Sequence, residues 1–270
     1  MSESSTSMFG NDSDAYERYM GRWSRLVAPE FLRDLDEPAS SRWLEVGCGT
    51  GNLTRSILES CDPATVHGID TSPGFIVRAR EAVPDQRASF GVFDTETLPV
   101  DSDAFDVVVS GLVLNFIPDV ELGIREMVRA AKPGGVVAAY VWDYGGKMEI
   151  MRKFWDVAVA IDPSAAKFDE GNREPALCNP EALTAHFEAA GLIDVTVHSI
   201  DAHAHFENFD DYWPPFTGNR GSAPRYVASL NADARESLEQ KLRANLAFAN
   251  DGSLDLIART WAVSGRRPPD

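Results

Sequence analysis

Residues 43–53 read WLEVGCGTGNL, and this stretch decides how the rest of the chain is interpreted. Its apolar start has the composition of a β-strand, whereas Leu53, Ile57 and Leu58 after it recur at helical spacing. Three glycines at alternate positions between the two elements allow a tight turn and a close approach of a ligand to the backbone. The stretch therefore predicts a strand, a turn and a helix, with a ligand above the turn.

The spacing of Gly47, Gly49 and Gly51 separates the classes of ligand that such a turn can bind. A dinucleotide-binding fingerprint needs a third small residue where this chain has Asn52. Glu45, two residues before the first glycine, would repel a pyrophosphate but attract an ammonium or sulfonium group. These features favour S-adenosylmethionine as the ligand. For this stretch taken alone, an ordinary connection between a strand and a helix is the alternative.

The totals of the chain are those of an ordinary globular protein. With 270 residues, 44% of them hydrophobic, it is large enough for one domain with sizeable insertions. The net charge of −17 argues against DNA, RNA and anionic membranes as partners, because phosphate binding needs a basic surface. The three cysteines form no CxxC pair, so no metal site is expected. A cytoplasmic location is expected because the polar N-terminus lacks a signal sequence and no apolar run approaches the ~20 residues of a membrane span.

The N-terminal segment divides into two parts. Residues 1–13 are rich in Ser, Thr and Asp and are predicted to be disordered. Residues 14–38 carry apolar side chains at helical spacing. They are interpreted either as a lid in which Tyr19 and Arg22 reach the cofactor, with Arg22 pairing with a carboxylate, or as a plain amphipathic helix on the core.

Polar residues follow three further predicted strands. Asp70 ends the second strand, where its two oxygens can accept hydrogen bonds from both hydroxyls of a ribose. Asp94, followed by Thr95, ends the third strand, where a carboxylate could accept the amino group of adenine. The fourth strand is almost continuously apolar, as expected of a central parallel strand, and its end from Ser110 onward must lie beside the glycine turn.

The motifs LEVGCGTG, GIDTSPGFIVRAR, FDTETLP, FDVVVSGLVLNF and AAKPGG follow one another in this order within residues 40–142. In this combination the chain resembles the Rossmann-like, class I S-adenosylmethionine-dependent methyltransferases, in particular the small-molecule branch that includes ubiquinone and menaquinone biosynthesis enzymes. The resemblance implies an α/β fold, a three-layer sandwich around a seven-stranded, mostly parallel sheet whose last strand is antiparallel. It also implies a single methyltransferase domain over residues 14–270.

The resemblance further implies S-adenosylmethionine as the cofactor, with S-adenosylhomocysteine as the product. Glu45 and the glycines would surround the methionine part, Asp70 would hold the ribose, and Ser110 would lie near the methionine amine. The chain departs from many members at Asn115 and Phe116, where they have a pair containing His, and this departure leaves the acceptor class open. The expected cofactor-binding residues are Tyr19, Arg22, Glu45, Gly47, Gly49, Gly51, Asp70, Thr71, Asp94, Thr95 and Ser110.

Two insertions, residues 145–178 and 201–252, are not required by the sheet, and such segments usually carry substrate specificity. Trp142, Tyr144 and Trp213 are the predicted substrate contacts, the first two because they follow the carboxyl end of a parallel strand. For most aromatic residues here, a role in the core of an insertion is the competing interpretation. His203 and His205 are candidate bases, and a metal pair at these two positions is disfavoured because no further ligand is evident.

The predicted function is transfer of a methyl group from S-adenosylmethionine to a small aromatic or apolar metabolite. Because the donor is already activated, catalysis would consist mainly of positioning for in-line displacement, and no catalytic residue is assigned. The alternative is a non-catalytic S-adenosylmethionine-binding sensor or partner module. A nicotinamide-dependent dehydrogenase is disfavoured by Asn52 and Glu45. The small-molecule acceptor is the expected partner, and the chain is expected to be a monomer or a homodimer.

Overall fold

The computed structural model describes residues 21–172, 177–218 and 221–270. Helices and strands alternate along the first half, and two helical insertions interrupt the second half. The helices are α1 (Arg22–Leu35), α2 (Asn52–Ser60), α3 (Pro73–Ala82), α4 (Val120–Ala130), α5 (Glu149–Ile161), α6 (Pro180–Ala189), α7 (Phe209–Tyr212), α8 (Ser222–Ser229) and α9 (Ala232–Asn245). The strands are β1 (Arg42–Val46), β2 (Thr65–Asp70), β3 (Ala88–Val92), β4 (Phe105–Gly111), β5 (Ala131–Trp142), β6 (Ile193–Phe206) and β7 (Leu254–Arg266).

The seven strands form one sheet in the order β3-β2-β1-β4-β5-β7-β6. Strands β1 to β5 are parallel, and β7 runs antiparallel to both β5 and β6. The predicted fold is therefore confirmed. Strand order reverses between β1 and β4, and in open parallel sheets ligands bind beyond the carboxyl ends of the strands at such a switch point.

Helix α1 covers one face of this sheet. Its buried side includes Trp23, Val27 and Phe31, and the Phe31 ring lies 4.8 Å from that of Tyr140 on β5. The described part of the predicted lid is thus an amphipathic helix packed on the core. Residues 14–20, with the predicted cofactor contact Tyr19, lie outside the described ranges.

Strand β6 is longer than predicted, because residues 201–206, assigned from the sequence to the second insertion, continue the sheet. Buried Ala202, Ala204 and Phe206 alternate with exposed residues along this stretch, which is the period of a strand with one covered face. Alanine has little preference for strands, so the composition of this stretch did not predict one. His203 and His205 are the exposed residues of this alternation.

The aromatic residues of the two insertions form a shared core. Phe154 on α5 stacks on Phe216, with ring centroids 4.6 Å apart and planes 4° from parallel. The indole N–H of Trp155 donates to Glu170 Oε2 at 2.7 Å, and the Tyr212 hydroxyl donates to the carbonyl of Ile150 at 2.9 Å. The Phe154–Phe216 stacking and the Tyr212–Ile150 hydrogen bond join the first insertion to the second, whereas the Trp155–Glu170 hydrogen bond lies within the first.

Candidate functional site

The glycine turn after β1 has a backbone that other residues would strain. Gly47 has a φ of +76°, and a Cβ there would lie 2.5 Å from Cγ2 of Val113. Gly49 has a φ of +54°, and among the described residues other than its chain neighbours no heavy atom lies within 4 Å of the position its Cβ would take. The first glycine is therefore required by packing as well as by conformation, and the second leaves open space above the turn.

Two adjoining cavities open beside this turn. The turn cavity, of about 630 Å³, is lined by Ser24, Glu45, Gly47, Cys48, Gly49, Thr50, Asn52, Leu53, Asp70, Phe75, Gly111, Leu112, Val113, Phe116 and Tyr140. The strand-tip cavity, of about 690 Å³, is lined by Gly47, Asp70, Thr71, Asp94, Thr95, Glu96, Val113, Phe116, Ile117 and Pro118. Of the described residues, Gly47, Asp70, Val113 and Phe116 line both cavities, so the two together suit one elongated ligand.

Asp70 lies where the two cavities meet. Its Oδ2 accepts a hydrogen bond from the N–H of Gly49 at 3.0 Å, and its Oδ1 accepts one from the N–H of Ser72 at 2.8 Å. Burial raises the pKa of this carboxyl, and these backbone hydrogen bonds oppose the rise. Each oxygen of a carboxylate has capacity for a second hydrogen bond, so Asp70 can accept two hydroxyl groups of a ligand.

Glu45 brings a second buried carboxyl to the turn cavity. It is 2% exposed, and the hydroxyl of Thr54 donates to its Oε2. The pKa of Glu45 is raised to about 8. Loss of hydration is the largest cause and the charge of Asp70 adds to the rise, whereas the hydrogen bond from Thr54 opposes it. Burial beside these carboxyls also raises the pKa of the Cys48 thiol, which makes it a poor nucleophile. A cation entering the cavity would favour the ionised form of Glu45.

The strand-tip cavity brings together the residues predicted for the adenosine part of the cofactor. Thr71, Asp94 and Thr95 line it together with Asp70. Thr95 is buried, whereas Asp94 is exposed and its Oδ1 accepts a hydrogen bond from the N–H of Glu96 at 2.9 Å. Their roles toward a ligand stay predictions.

Two residues of the predicted cofactor set lie elsewhere. The Ser110 side chain is fully buried and does not line either cavity; its hydroxyl donates to the carbonyl of Val46 at 2.8 Å and so ties β4 to β1. Arg22 also lines neither cavity, because its guanidinium donates to both oxygens of Asp211 at 2.9 and 3.0 Å and to the carbonyl of His205 at 2.6 Å. In this arrangement the side chains of Ser110 and Arg22 bind other parts of the protein and not a space where the cofactor would lie.

The structure places the three predicted substrate contacts in or against the hydrophobic core. Trp142 and Tyr144 are 2% and 6% exposed and belong to the hydrophobic core, because β7 continues beside the end of β5 and pairs Thr260 with Trp142. Trp213 stacks on Phe209, with ring centroids 6.0 Å apart. None of the three lines either cavity in the described ranges. These positions favour a packing role for all three, and their roles as substrate contacts stay predictions.

Sequence reasoning missed Tyr140 as a cavity residue. Strands β4 and β5 pair Gly111 with Tyr140, and a Cβ at Gly111 would lie 2.6 Å from the tyrosine hydroxyl. Position 111 must be a glycine because the paired strand places the tyrosine hydroxyl against it, and this pairing is visible only in the structure. Leu112, next along the cavity wall, holds a left-handed φ of +63° and donates its N–H to the carbonyl of Tyr140 at 2.8 Å.

The remaining candidates from the sequence lie away from this site or have no partner in it. His205 Nδ1 is 2.8 Å from Asp255 Oδ1 on the edge of the sheet, and neither His203 nor His205 lines the two cavities. The buried Nδ2 of Asn115 has no hydrogen-bond partner within residues 21–172, 177–218 and 221–270. Over the described ranges, no group of three or more His, Cys, Asp or Glu side chains could hold a metal ion. Among these same residues, no helix combines the length and apolar character needed to cross a membrane.

The charge of the turn cavity is one-sided. It contains two buried carboxyls, Glu45 and Asp70, and none of its described lining residues is Arg, Lys or His. Such a lining attracts a cation and disfavours a pyrophosphate. Together with the open space above Gly49, it fits S-adenosylmethionine, which carries both a sulfonium and an ammonium group.

Comparison with known proteins agrees with this chemistry. Residues 44–139 match the family described as Methyltransferase domain. The 2-methyl-6-phytyl-1,4-hydroquinone methyltransferase of Synechocystis sp. is 31% identical over 165 residues, which cover 61% of this chain and 50% of that protein. The trans-aconitate 2-methyltransferase of Variovorax paradoxus is 28% identical over 247 residues, covering 88% of this chain and 90% of that protein. The chain thus spans only half the length of the first relative.

Solved structures share the fold. The phosphoethanolamine N-methyltransferase 2 of Haemonchus contortus, in complex with S-adenosyl-L-methionine, superposes with a TM-score of 0.59 at 20% identity, covering 96% of this chain and 57% of that chain. Residues 44–139 thus match a methyltransferase domain, and the chain shares the fold of solved methyltransferases.

Proposed function

We propose that this protein transfers a methyl group from S-adenosylmethionine to a small, neutral, aromatic or apolar acceptor. The observation that carries the proposal is the pair of adjoining cavities that meet at Asp70, with two carboxyls and no basic side chain among the described residues of the turn cavity. An elongated, cationic ligand is the chemical class that matches this lining.

The residues of the two cavities divide the binding of the cofactor between them. Asp70 would accept hydrogen bonds from the ribose hydroxyls, while its contacts with the N–H groups of Gly49 and Ser72 hold the carboxylate in place. Asp94 and Thr95 would face the adenine in the strand-tip cavity. Glu45 would pair with the positive charge in the turn cavity, where loss of hydration strengthens the attraction.

Catalysis then depends on alignment. The bound cofactor supplies a methyl group on a sulfonium, which needs no further activation. The protein has to hold the acceptor in line with that group and keep water out, and orientation of this kind can supply about 7–11 kcal/mol. Val113 and Phe116, which line both cavities, provide apolar walls at their junction. No base is assigned among the residues that line them.

The acceptor class follows from the same lining. A carboxylate-bearing acceptor, such as that in the name of the Variovorax relative, would meet two carboxyls and no basic side chain among the described lining residues. A neutral phenol, such as that in the name of the Synechocystis relative, meets no such repulsion. The net charge of −17 also repels an anionic acceptor, at longer range.

The test combines calorimetry and mass spectrometry. S-adenosylmethionine and S-adenosylhomocysteine are titrated into protein freed of carried-over ligand, and methylhydroquinone and trans-aconitate are then offered as acceptors. We expect both cofactor forms to bind and methylhydroquinone to gain a methyl group. Methylation of trans-aconitate alone would overturn the acceptor class. Binding without transfer to these or further acceptors would favour the non-catalytic module, and binding of neither cofactor form would refute the proposal.

A further inference from the structure

Leu112 differs from the other described residues that hold a left-handed backbone. Within the described ranges, six non-glycine residues have a positive φ, and all but Leu112 are exposed Asp or Ser residues, namely Asp36, Ser40, Asp62, Asp103 and Asp194. Leu112 has a φ of +63° and is 7% exposed. A short polar side chain such as that of Asp can hydrogen-bond locally in this conformation, whereas a bulky apolar one is strained there. Leu112 is therefore an exception with a conformational cost.

The fold imposes this conformation at the end of β4. Gly111 is the last residue of β4 paired with β5, opposite Tyr140, and the N–H of Leu112 donates to the Tyr140 carbonyl at 2.8 Å. The chain then enters a 3₁₀-helical turn, Leu114–Phe116. Glycine would adopt the left-handed φ without strain, so the turn itself does not require a leucine. A strained residue that the surrounding structure holds in place is a candidate for a functional role.

The side chain of Leu112 lines the turn cavity but not the strand-tip cavity. It therefore takes no part in the cavity proposed for the adenosine. Val113 and Phe116, which follow it in the chain, are the apolar walls at the junction, whereas the two carboxyls of the turn cavity come from β1 and β2. An apolar side chain offers nothing to the charged groups of the cofactor but gains from contact with an apolar acceptor.

We propose that Leu112 determines which acceptors this protein takes, because its side chain is the wall against which the acceptor ring packs. A ring with one small substituent fits beside it, and a bulky substituent would collide with it. The strained backbone is then the consequence of placing a branched apolar side chain at a point where the turn would suit glycine. The inference rests on the proposed function, because it takes a small aromatic or apolar compound as the acceptor.

The first measurement tests the strain. Leu112→Ala and Leu112→Gly both remove the side chain, but only alanine is strained at a φ of +63°. In urea denaturation we expect the glycine variant to unfold at the same or a higher urea concentration than the alanine variant. Leu114 is the matched control, since it is fully buried, lies in the 3₁₀-helical turn and lines neither cavity. There the order should reverse, because glycine at an ordinary φ is less stable than alanine.

The second measurement compares methylhydroquinone with tert-butylhydroquinone as acceptors, with the methylated products quantified by mass spectrometry. The unaltered protein should prefer methylhydroquinone in kcat/KM. Both Leu112 variants should shift this preference toward tert-butylhydroquinone by about ten-fold or more, since a single methylene in an apolar pocket is worth about that much. Leu114→Ala should keep the preference of the unaltered protein. The affinity for S-adenosylhomocysteine, measured by calorimetry, should change little in all these variants.

The outcomes separate this inference from the proposed function. An unchanged preference in both Leu112 variants, while the unaltered protein methylates methylhydroquinone, would overturn the inference and leave the proposed function standing. A loss of affinity for S-adenosylhomocysteine at unchanged preference would overturn it and assign Leu112 to the cofactor. It would also fall if Leu112→Gly were clearly less stable than Leu112→Ala, or if Leu114→Ala shifted the preference equally. If the unaltered protein methylates neither hydroquinone, the proposed acceptor class and this inference both fall.

Discussion

The cavity wall around the glycine turn and the aromatic core of the insertions differ in what they bury. The turn cavity buries two carboxyls beside Leu112, a non-glycine residue with positive φ, and both features cost stability unless a ligand compensates. The insertion core buries rings such as Phe154 and Phe216, and its polar atoms are paired, as Trp155 is with Glu170. The comparison separates a region arranged for binding from a region arranged for stability.

The largest expected effect tests the stabilising side of this comparison. Phe154 is fully buried and stacked on Phe216, so Phe154→Ala should lower the free energy of unfolding by about 3–5 kcal/mol through lost contacts and a cavity. Urea denaturation measures the loss. The affinity of the folded variant for S-adenosylhomocysteine should change little. A variant that kept its stability but lost its affinity would contradict the division between the two regions.

A smaller effect is expected on the binding side. Asp70→Ala removes the acceptor proposed for the ribose and should weaken binding of S-adenosylmethionine by about 1.5–3 kcal/mol. Asp85→Ala is the control, because Asp85 also accepts a backbone hydrogen bond, from Arg87 at 2.8 Å, but lies outside both cavities. Calorimetry on both variants gives the comparison, and unchanged affinity in folded Asp70→Ala would refute the assignment.

What the sequence predicts well in this protein is local. The roles of Gly47, Gly49 and Asp70 follow from a strand and a turn that only a few neighbouring positions define. The apolar run of β4 likewise identifies a central parallel strand. The order of such elements predicts the sheet, which the structure confirms. Asp94 and Thr95 lie at one cavity for the same reason: they follow the carboxyl end of a parallel strand.

What the sequence did not predict depends on contacts between distant segments. Trp142 ends the parallel strand β5 and Tyr144 follows it, but β7 continues beside that end, and nothing near them in sequence indicates this pairing. Arg22 has its partner at Asp211, 189 positions away. Tyr140 becomes a cavity residue only through its pairing with Gly111. Contacts of this kind have no periodicity that a single sequence could reveal.

Taken per pH unit, the smallest expected effect is a pH dependence of stability that measures the cost of burying Glu45 in the binding region. The pKa of Glu45 is about 8 in the folded protein against an ordinary 4.5, so between these values the folded chain holds a proton that the unfolded chain has released. The contribution is complete below about pH 4.5, and stability should fall as pH rises toward 8, by at most about 1.4 kcal/mol per pH unit. Urea denaturation across this range should show a shallower slope for Glu45→Gln. Parallel slopes would mean that Glu45 is ionised in the folded protein.

The pairing of β6 with β7 gives the second insertion an additional property. Phe206 pairs with Leu254, and paired residues of antiparallel strands have Cα atoms about 4.5–5.5 Å apart. The chain thus leaves the sheet and returns to it at nearly the same point, and the segment 207–253 has the topology of a hairpin loop. The length of such a loop adds little to the entropy of closing it. The segment can therefore change in length while the register of the sheet is kept, as long as it retains its contacts with the first insertion, such as the stacking of Phe216 on Phe154.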